Sequence, residues 1–176
     1  MEEYLDVINQ TDVVLRQETR TAVHAQGLWH RGVHVFLFTP DGRLLIQKRS
    51  AARSAYASLW DGSVSEHVRA GEGYVEAAQR GLKEELGVEG IVLEPLVKFR
   101  LNYGPNDNEI SMVFKGAAEI ASIQFDPVEI AEVSYADLHI LRKKMEQEPS
   151  AFCGWFIEIL NWYSGKPAAF TLLWEK

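Results

Sequence analysis

Residues 70–88 read AGEGYVEAAQRGLKEELGV, and the stretch carries two periodicities at once. Apolar Val75, Ala78, Leu82 and Leu86 recur at spacings of three and four, the signature of one helix face turned to a core. The spacing predicts a helix from about Tyr74 to Leu86, with Gly87 as a stop because glycine accepts the left-handed conformation that ends helices. At about 100° per residue from Arg80, the apolar positions fall between about 160° and 240°, Glu84 near about 40° and Glu85 near about 140°. Gly81 lies at about 100°, between the two glutamates. Two carboxylates converging on one side repel each other unless a cation neutralises them, and Mg²⁺, which prefers oxygen ligands, suits that role. A glycine inside the helix costs roughly 0.5–1 kcal/mol relative to alanine, so its presence between the two acids calls for a reason.

The rest of the chain bounds the answer. Its 176 residues suit one domain spanning 1–176, and an apolar fraction of 47% suits a sizeable core. A net charge of −7 argues against binding a nucleic-acid duplex through its phosphates. It does not exclude small phosphorylated ligands, because a divalent cation bridges carboxylates to phosphate oxygens. Apolar runs are short, so no membrane span is expected. The acidic start MEEYLDVINQTD lacks a signal-peptide pattern, and Cys153 is the single cysteine. Both features point to the cytoplasm. VHVFLF and LLIQ flank TPDGR, a hairpin signal in which Asp-Gly tolerates positive φ. SAARSAYAS at 50–58 reads as a loop, and strand-like residues follow at 60–68. Strands are expected at 4–8, 91–102, 109–116 and 128–134, with helices at 135–146 and 151–164. The last carries Phe152, Trp155, Phe156, Ile159, Leu160 and Tyr163 on one stripe. Strands on both sides of a central helix, with helices at the end, give an α/β class: a mixed sheet between helices.

Glu72, Arg80, Leu82, Glu84, Glu85, Gly87 and Val88 match the pattern G-x5-E-x7-R-E-U-x-E-E-x-G-U, and the segment 66–88 resembles the Nudix box. Two positions depart: Glu66 stands where the box opens on glycine, and Gly81 stands where a glutamate follows the arginine. HAQGLWHRGVHVF, LLIQKRS, LWDGSVSEHVRAGE, DNEISMVF and FCGWF resemble the isopentenyl diphosphate isomerase-like branch of the same superfamily, over about residues 4–165. The resemblance implies an α/β/α sandwich and a reaction in which water attacks a diphosphate linkage with Mg²⁺ or Mn²⁺. It implies Glu84 and Glu85 as metal ligands, Arg80 as a box-stabilising partner, and Glu72 as a second such partner close to the metal. With Gly81 lacking a carboxylate, Glu66 is the candidate for the missing acid if the box loop folds back over the helix. The alternative is a weakened or inactive diphosphate-binding module.

The branch also implies a separate metal site, with His24, His30, His67, Asp107 and Glu109 at the matching positions. Imidazole with carboxylate suits Mn²⁺, Zn²⁺ or Fe²⁺. His34 reads as structural. The isomerase's reactive cysteine corresponds to Ser65, and a hydroxyl is a poorer proton donor than a thiol, which disfavours isomerisation. Lys48, Arg49, Arg53 and Arg69 are candidates to meet phosphate, and Trp60 and Trp155 to line the pocket. The expected partner is a small diphosphate, and a homodimer is compatible with the sequence.

Overall fold

The computed structural model describes residues 2–53, 55–119 and 123–176. Strands β1 (Tyr4–Ile8) and β2 (Val14–Thr19) form a separate hairpin, followed by helix α1 (Arg20–Gln26). The main sheet contains β3 (Trp29–Phe38), β4 (Leu44–Arg49), β5 (Trp60–Asp61), β6 (Val64–His67), β7 (Glu94–Gly104), β8 (Asp107–Ala117), β9 (Ile130–Ala136) and β10 (Thr171–Glu175). Helix α2 (Tyr74–Leu86) follows β6, and α3 (Leu138–Gln147) and α4 (Gly154–Tyr163) follow β9. The sheet order is β10-β7-β8-β3-β4-β5, with β6 on β3 and β9 on β4. The β3–β8 pair is parallel and the other named pairs are antiparallel, so the sheet is mixed.

Alternation along β3 builds two cores. Val33, Val35 and Leu37 face α2 and pack with Ala77, Ala78, Leu82 and Leu86. Phe36 faces the other way, toward Phe156, Ile159 and Leu160 of α4. The period of two along the strand therefore sets the layers of an α/β/α sandwich. The hairpin at TPDGR forms, but β3 and β4 pair only at Phe38 and Leu44 before they diverge. The chain of β5 and β6 enters the gap, β5 pairing with β4 and β6 with β3. Ser63 bridges the fork: its hydroxyl donates to the Leu45 carbonyl at 2.7 Å and accepts from the Leu37 amide at 2.8 Å. This fork opens the sheet where the candidate site residues converge.

Helix α2 covers the predicted span, with Gly87 at φ 66° as its left-handed cap. Its buried face is rotated from the expected one. Ala77, Ala78, Gly81, Leu82, Glu85 and Leu86 are buried, whereas Val75 is exposed at 48% and Tyr74 makes the first turn's contact with the sheet, its hydroxyl 3.3 Å from the Ile110 carbonyl. Strand β2, helix α1 and strand β10 have no counterpart in the sequence reading. Residues 135–136 end β9, and α3 begins at Leu138 behind the Asp137 cap. Among the described residues no helix is long and apolar enough to cross a membrane.

Candidate active site

A cavity of about 1060 Å³ opens between the α2 face and the α4 face at the fork. On the α2 side, Arg80 organises the acids. It donates to Glu72 at 2.9 and 3.1 Å, to Glu66 at 3.0 Å, to Glu84 at 3.2 Å and to the His67 carbonyl at 2.8 Å. These carboxylates hold the guanidinium well above its ordinary pKa despite partial burial. Glu72 also accepts from the Arg69 amide at 2.9 Å and stands outside the cavity wall. It braces the loop, and Arg80 keeps its carboxyl below the usual range against the opposing effect of burial. Glu84, Glu85 and Glu66 all line the cavity. Glu85 is buried and accepts from Gln47 at 2.7 Å. Burial, then the charge of Glu66, pushes Glu85 well above the ordinary carboxylate range.

Gly81 faces β6. A Cβ at this position would meet Val64 Cγ1 at 2.5 Å and Glu66 Cγ at 3.1 Å. The helix therefore has no room for a side chain here, and the stem of Glu66 occupies the adjoining space. A carboxylate-bearing side chain of the strand laid against α2 thus stands beside Gly81. A glutamate introduced at 81 would collide with Val64, so it would not simply complete the arc that the helical wheel suggested.

The opposite face of the sheet carries the histidines. The rings of His24, His30 and His67 lie with centroids 4.9–5.1 Å apart. Asp107 Oδ1 is 3.6 Å from His24 Nδ1, and Glu109 Oε1 is 3.5 Å from His30 Nε2 and 3.6 Å from His67 Nε2. Burial pulls His67 down to about 3. Burial and the charge of Glu109 raise Asp107 to about 6. Burial opposes ionisation of Glu109 too, but its histidine neighbours outweigh burial and hold it low, at about 2. His34 belongs to the same face, two strand steps of period two from His30, and it lines the cavity. It is part of the site wall, not the purely structural residue expected from the sequence.

A NUDIX domain model matches residues 28–156. The chain belongs to the Nudix family. Among curated proteins it is 32% identical over 165 residues to an isopentenyl-diphosphate Delta-isomerase of Serratia proteamaculans, covering 92% of this chain and 91% of that protein. An isopentenyl-diphosphate Delta-isomerase 2 of Photorhabdus laumondii is 30% identical, with 92% of each chain covered. Among solved structures, DR0079 of Deinococcus radiodurans is 28% identical with a TM-score of 0.77, covering 90% of this chain and 98% of that one. The MutT protein of Methanosarcina mazei, 23% identical with a TM-score of 0.63, shares the fold over 78% of this chain and 96% of its own.

Which residues of this Nudix chain fit a cation follows from their polar atoms. His24 Nε2, His30 Nε2 and Asp107 Oδ1 are buried without a hydrogen-bond partner among the described residues. Orphaned buried polar atoms in one cluster suit a bound ion. Gly32 gives Glu109 its room, since a Cβ there would stand 2.1 Å from Glu109 Oε2. Both His24, His30, His67 and His30, Asp107, Glu109 offer ligand atoms within 4.8 Å of one another, and both groupings lie on this face. The α2 acids are more spread and are engaged by Arg80 and Gln47. Imidazole and carboxylate together suit Mn²⁺ or Zn²⁺, whereas the α2 acids alone suit Mg²⁺.

Arg49, Arg53, Arg69 and Trp155 line the cavity, but Lys48 and Trp60 do not. Lys48 Nζ instead lies 5.9 Å from the centre of the Trp60 ring. Arg53 pairs with Glu129, and Arg69 reaches Glu84 at 3.4 Å. Sequence reasoning missed Asp61. This buried carboxylate accepts from Trp155 Nε1 at 2.8 Å and lies 3.5 Å from Arg49. It also missed Tyr56 and Tyr103, whose rings stand 4.6 and 5.4 Å from Trp155. The even spacing of His30, Gly32 and His34 was the available signal for the wall residue His34.

Proposed function

We propose that the chain is a metal-dependent Nudix hydrolase in which water cleaves a phosphoanhydride bond of a nucleoside diphosphate derivative or a related diphosphate metabolite. The observation that carries this reading is Glu66 standing over Gly81, fixed by Arg80 and facing the cavity beside Glu85. Glu66 accepts the proton of the attacking water. Glu85 lies beside it, its pKa raised by burial and then by the charge of Glu66, so it binds a cation only on losing its proton. Arg49, Arg53 and Arg69 meet the negative charge of the diphosphate. His24, His30, His67, Asp107 and Glu109 hold one divalent ion, and Glu84 with Glu85 are the candidates for Mg²⁺ or Mn²⁺ on the other face. A bound divalent ion supplies charge neutralisation on the phosphates. The partner is the small diphosphate itself, with neither a nucleic-acid duplex nor a membrane.

The histidine cluster favours a second reading, isomerisation of isopentenyl diphosphate, because the curated relatives carry that name. Ser65 opposes it, since its hydroxyl titrates far above the range of a thiol. The test is a panel of diphosphates with Mg²⁺ or Mn²⁺, read by release of phosphate or a monophosphate. Turnover lost in Glu66→Gln supports the hydrolase. Solvent deuterium entering isopentenyl diphosphate, with no hydrolysis of the panel, supports the isomerase. Binding with neither reaction supports a module without catalysis.

A further inference from the structure

An unbroken run of side-chain hydrogen bonds crosses the cavity wall. Ser65 Oγ is 3.0 Å from His34 Nδ1, and His34 Nε2 is 3.2 Å from the Tyr103 hydroxyl. Tyr103 is 2.9 Å from Ser111 Oγ, which donates to Glu109 Oε2 at 2.9 Å. Each hydroxyl has a single proton, so the order of donation is determined from one end. A carboxylate only accepts, and Ser111 spends its proton on Glu109. Tyr103 must then donate to Ser111, which leaves its oxygen to accept from His34 Nε2–H. A neutral imidazole carries one N–H. His34 is buried, and burial lowers its pKa, so Nδ1 is bare and accepts from Ser65. The proton of Ser65 therefore points into the wall, and the side of Oγ turned to the cavity offers only lone pairs.

We propose that Ser65, through the His34–Tyr103–Ser111 relay, is a specificity-determining acceptor that selects diphosphates carrying a hydroxyl donor beyond their phosphates, such as a sugar hydroxyl. The inference deepens the hydrolase reading and rests on the same cavity. Ser65, His34, Tyr103 and Trp155 line it together. The aromatic faces give a sugar or a base a surface to stack on beside that acceptor. A hydrocarbon chain placed there leaves the acceptor unpaired, which costs binding. A phosphate oxygen meets lone pairs with lone pairs and is turned toward the arginines instead. His34, Tyr103 and Ser111 are positioning residues, since they act through Ser65.

The test uses the manganese-loaded protein and non-hydrolysable α,β-methylene adenosine diphosphate, compared by calorimetry with its 2′,3′-dideoxy and 2′-fluoro-2′,3′-dideoxy forms. The fluoro form keeps an acceptor and loses the donor. Wild-type protein is expected to bind the hydroxylated form at least about tenfold more tightly than either analogue, as sites built to pair a hydroxyl do. Ser65→Ala is expected to erase that gap. Equal binding of all three, absence of binding by all three, or a gap that persists in Ser65→Ala overturns the proposal. Should Ser65→Ala fold poorly, the ¹⁵N spectrum of wild-type His34 decides: the Nε2–H tautomer supports the relay and the Nδ1–H tautomer overturns it. Turnover of the diphosphate panel reads the hydrolase assignment separately, because discrimination in binding survives even where no product forms.

Discussion

Replacing Gly81 by alanine tests the packing of α2 on β6 directly. On an exposed helix face this change stabilises by roughly 0.5–1 kcal/mol, because alanine loses less backbone freedom. Here the added methyl would lie 2.5 Å from Val64 Cγ1, and Val64 is fully buried in the α2 core. A β-branched side chain in that setting has few rotamers to retreat to. Inserting a methyl into a filled core costs about 1–3 kcal/mol, which exceeds the propensity gain. Gly81→Ala should therefore destabilise by about 1–2 kcal/mol, lowering Tm by about 2–8 °C for a chain of this size. Thermal melts of Gly81→Ala, Val64→Ala and the double variant form the assay. Val64→Ala removes the colliding atom, so the double variant should recover at least ~1 kcal/mol relative to additivity. A Gly81→Ala protein that melts above wild type, or strictly additive effects, would refute the proposed contact.

Glu66→Gln should lower kcat by about 10²–10⁴-fold, the usual contribution of a positioned proton acceptor, with KM little changed in steady-state kinetics. Asp61→Ala should destabilise by about 3–5 kcal/mol, because it strands the Arg49 guanidinium, 3.5 Å away in the native protein, largely buried and unpaired; chemical denaturation reads the loss. For the metal-free protein, His67 at about 3 lies below the ~6.5 of an unfolded imidazole. The unfolded chain then takes up the proton first, so this stability is full above pH 6.5 and falls as the pH drops toward 3. The slope approaches about 1.4 kcal/mol per pH unit per such imidazole. Denaturation midpoints between pH 7 and 5 in EDTA check it, and His67→Gln should flatten the curve.

Helix α2 was legible because its signals are local: a period of 3.6 and a glycine cap lie within one segment. The convergence of His24, His30, His67, Asp107 and Glu109 was legible only through resemblance, since they come from α1, β3, β6 and β8. The orientation of Gly81 was not legible. A helical wheel gives angles about the helix axis, and which angle faces the sheet depends on where β6 lies. Val75 was misplaced for the same reason. Short α1 and β2 carry too few residues for periodicity to emerge. Asp61 reads as one more polar residue until the indole of Trp155, far along the chain, closes on it.

Strand β6 has only four residues, yet it serves both sides of the molecule. Ser65 and His67 point to the histidine face and Glu66 to the α2 face. Which side of the sheet each acid or imidazole of β6 meets is thus a matter of pleat: sliding β6 by a single residue along β3 would exchange the side chains of the two faces. Gly32 opposite His67 and Val33 opposite Glu66 hold that alignment, so mutations at the ladder can relocate charge without altering any charged residue.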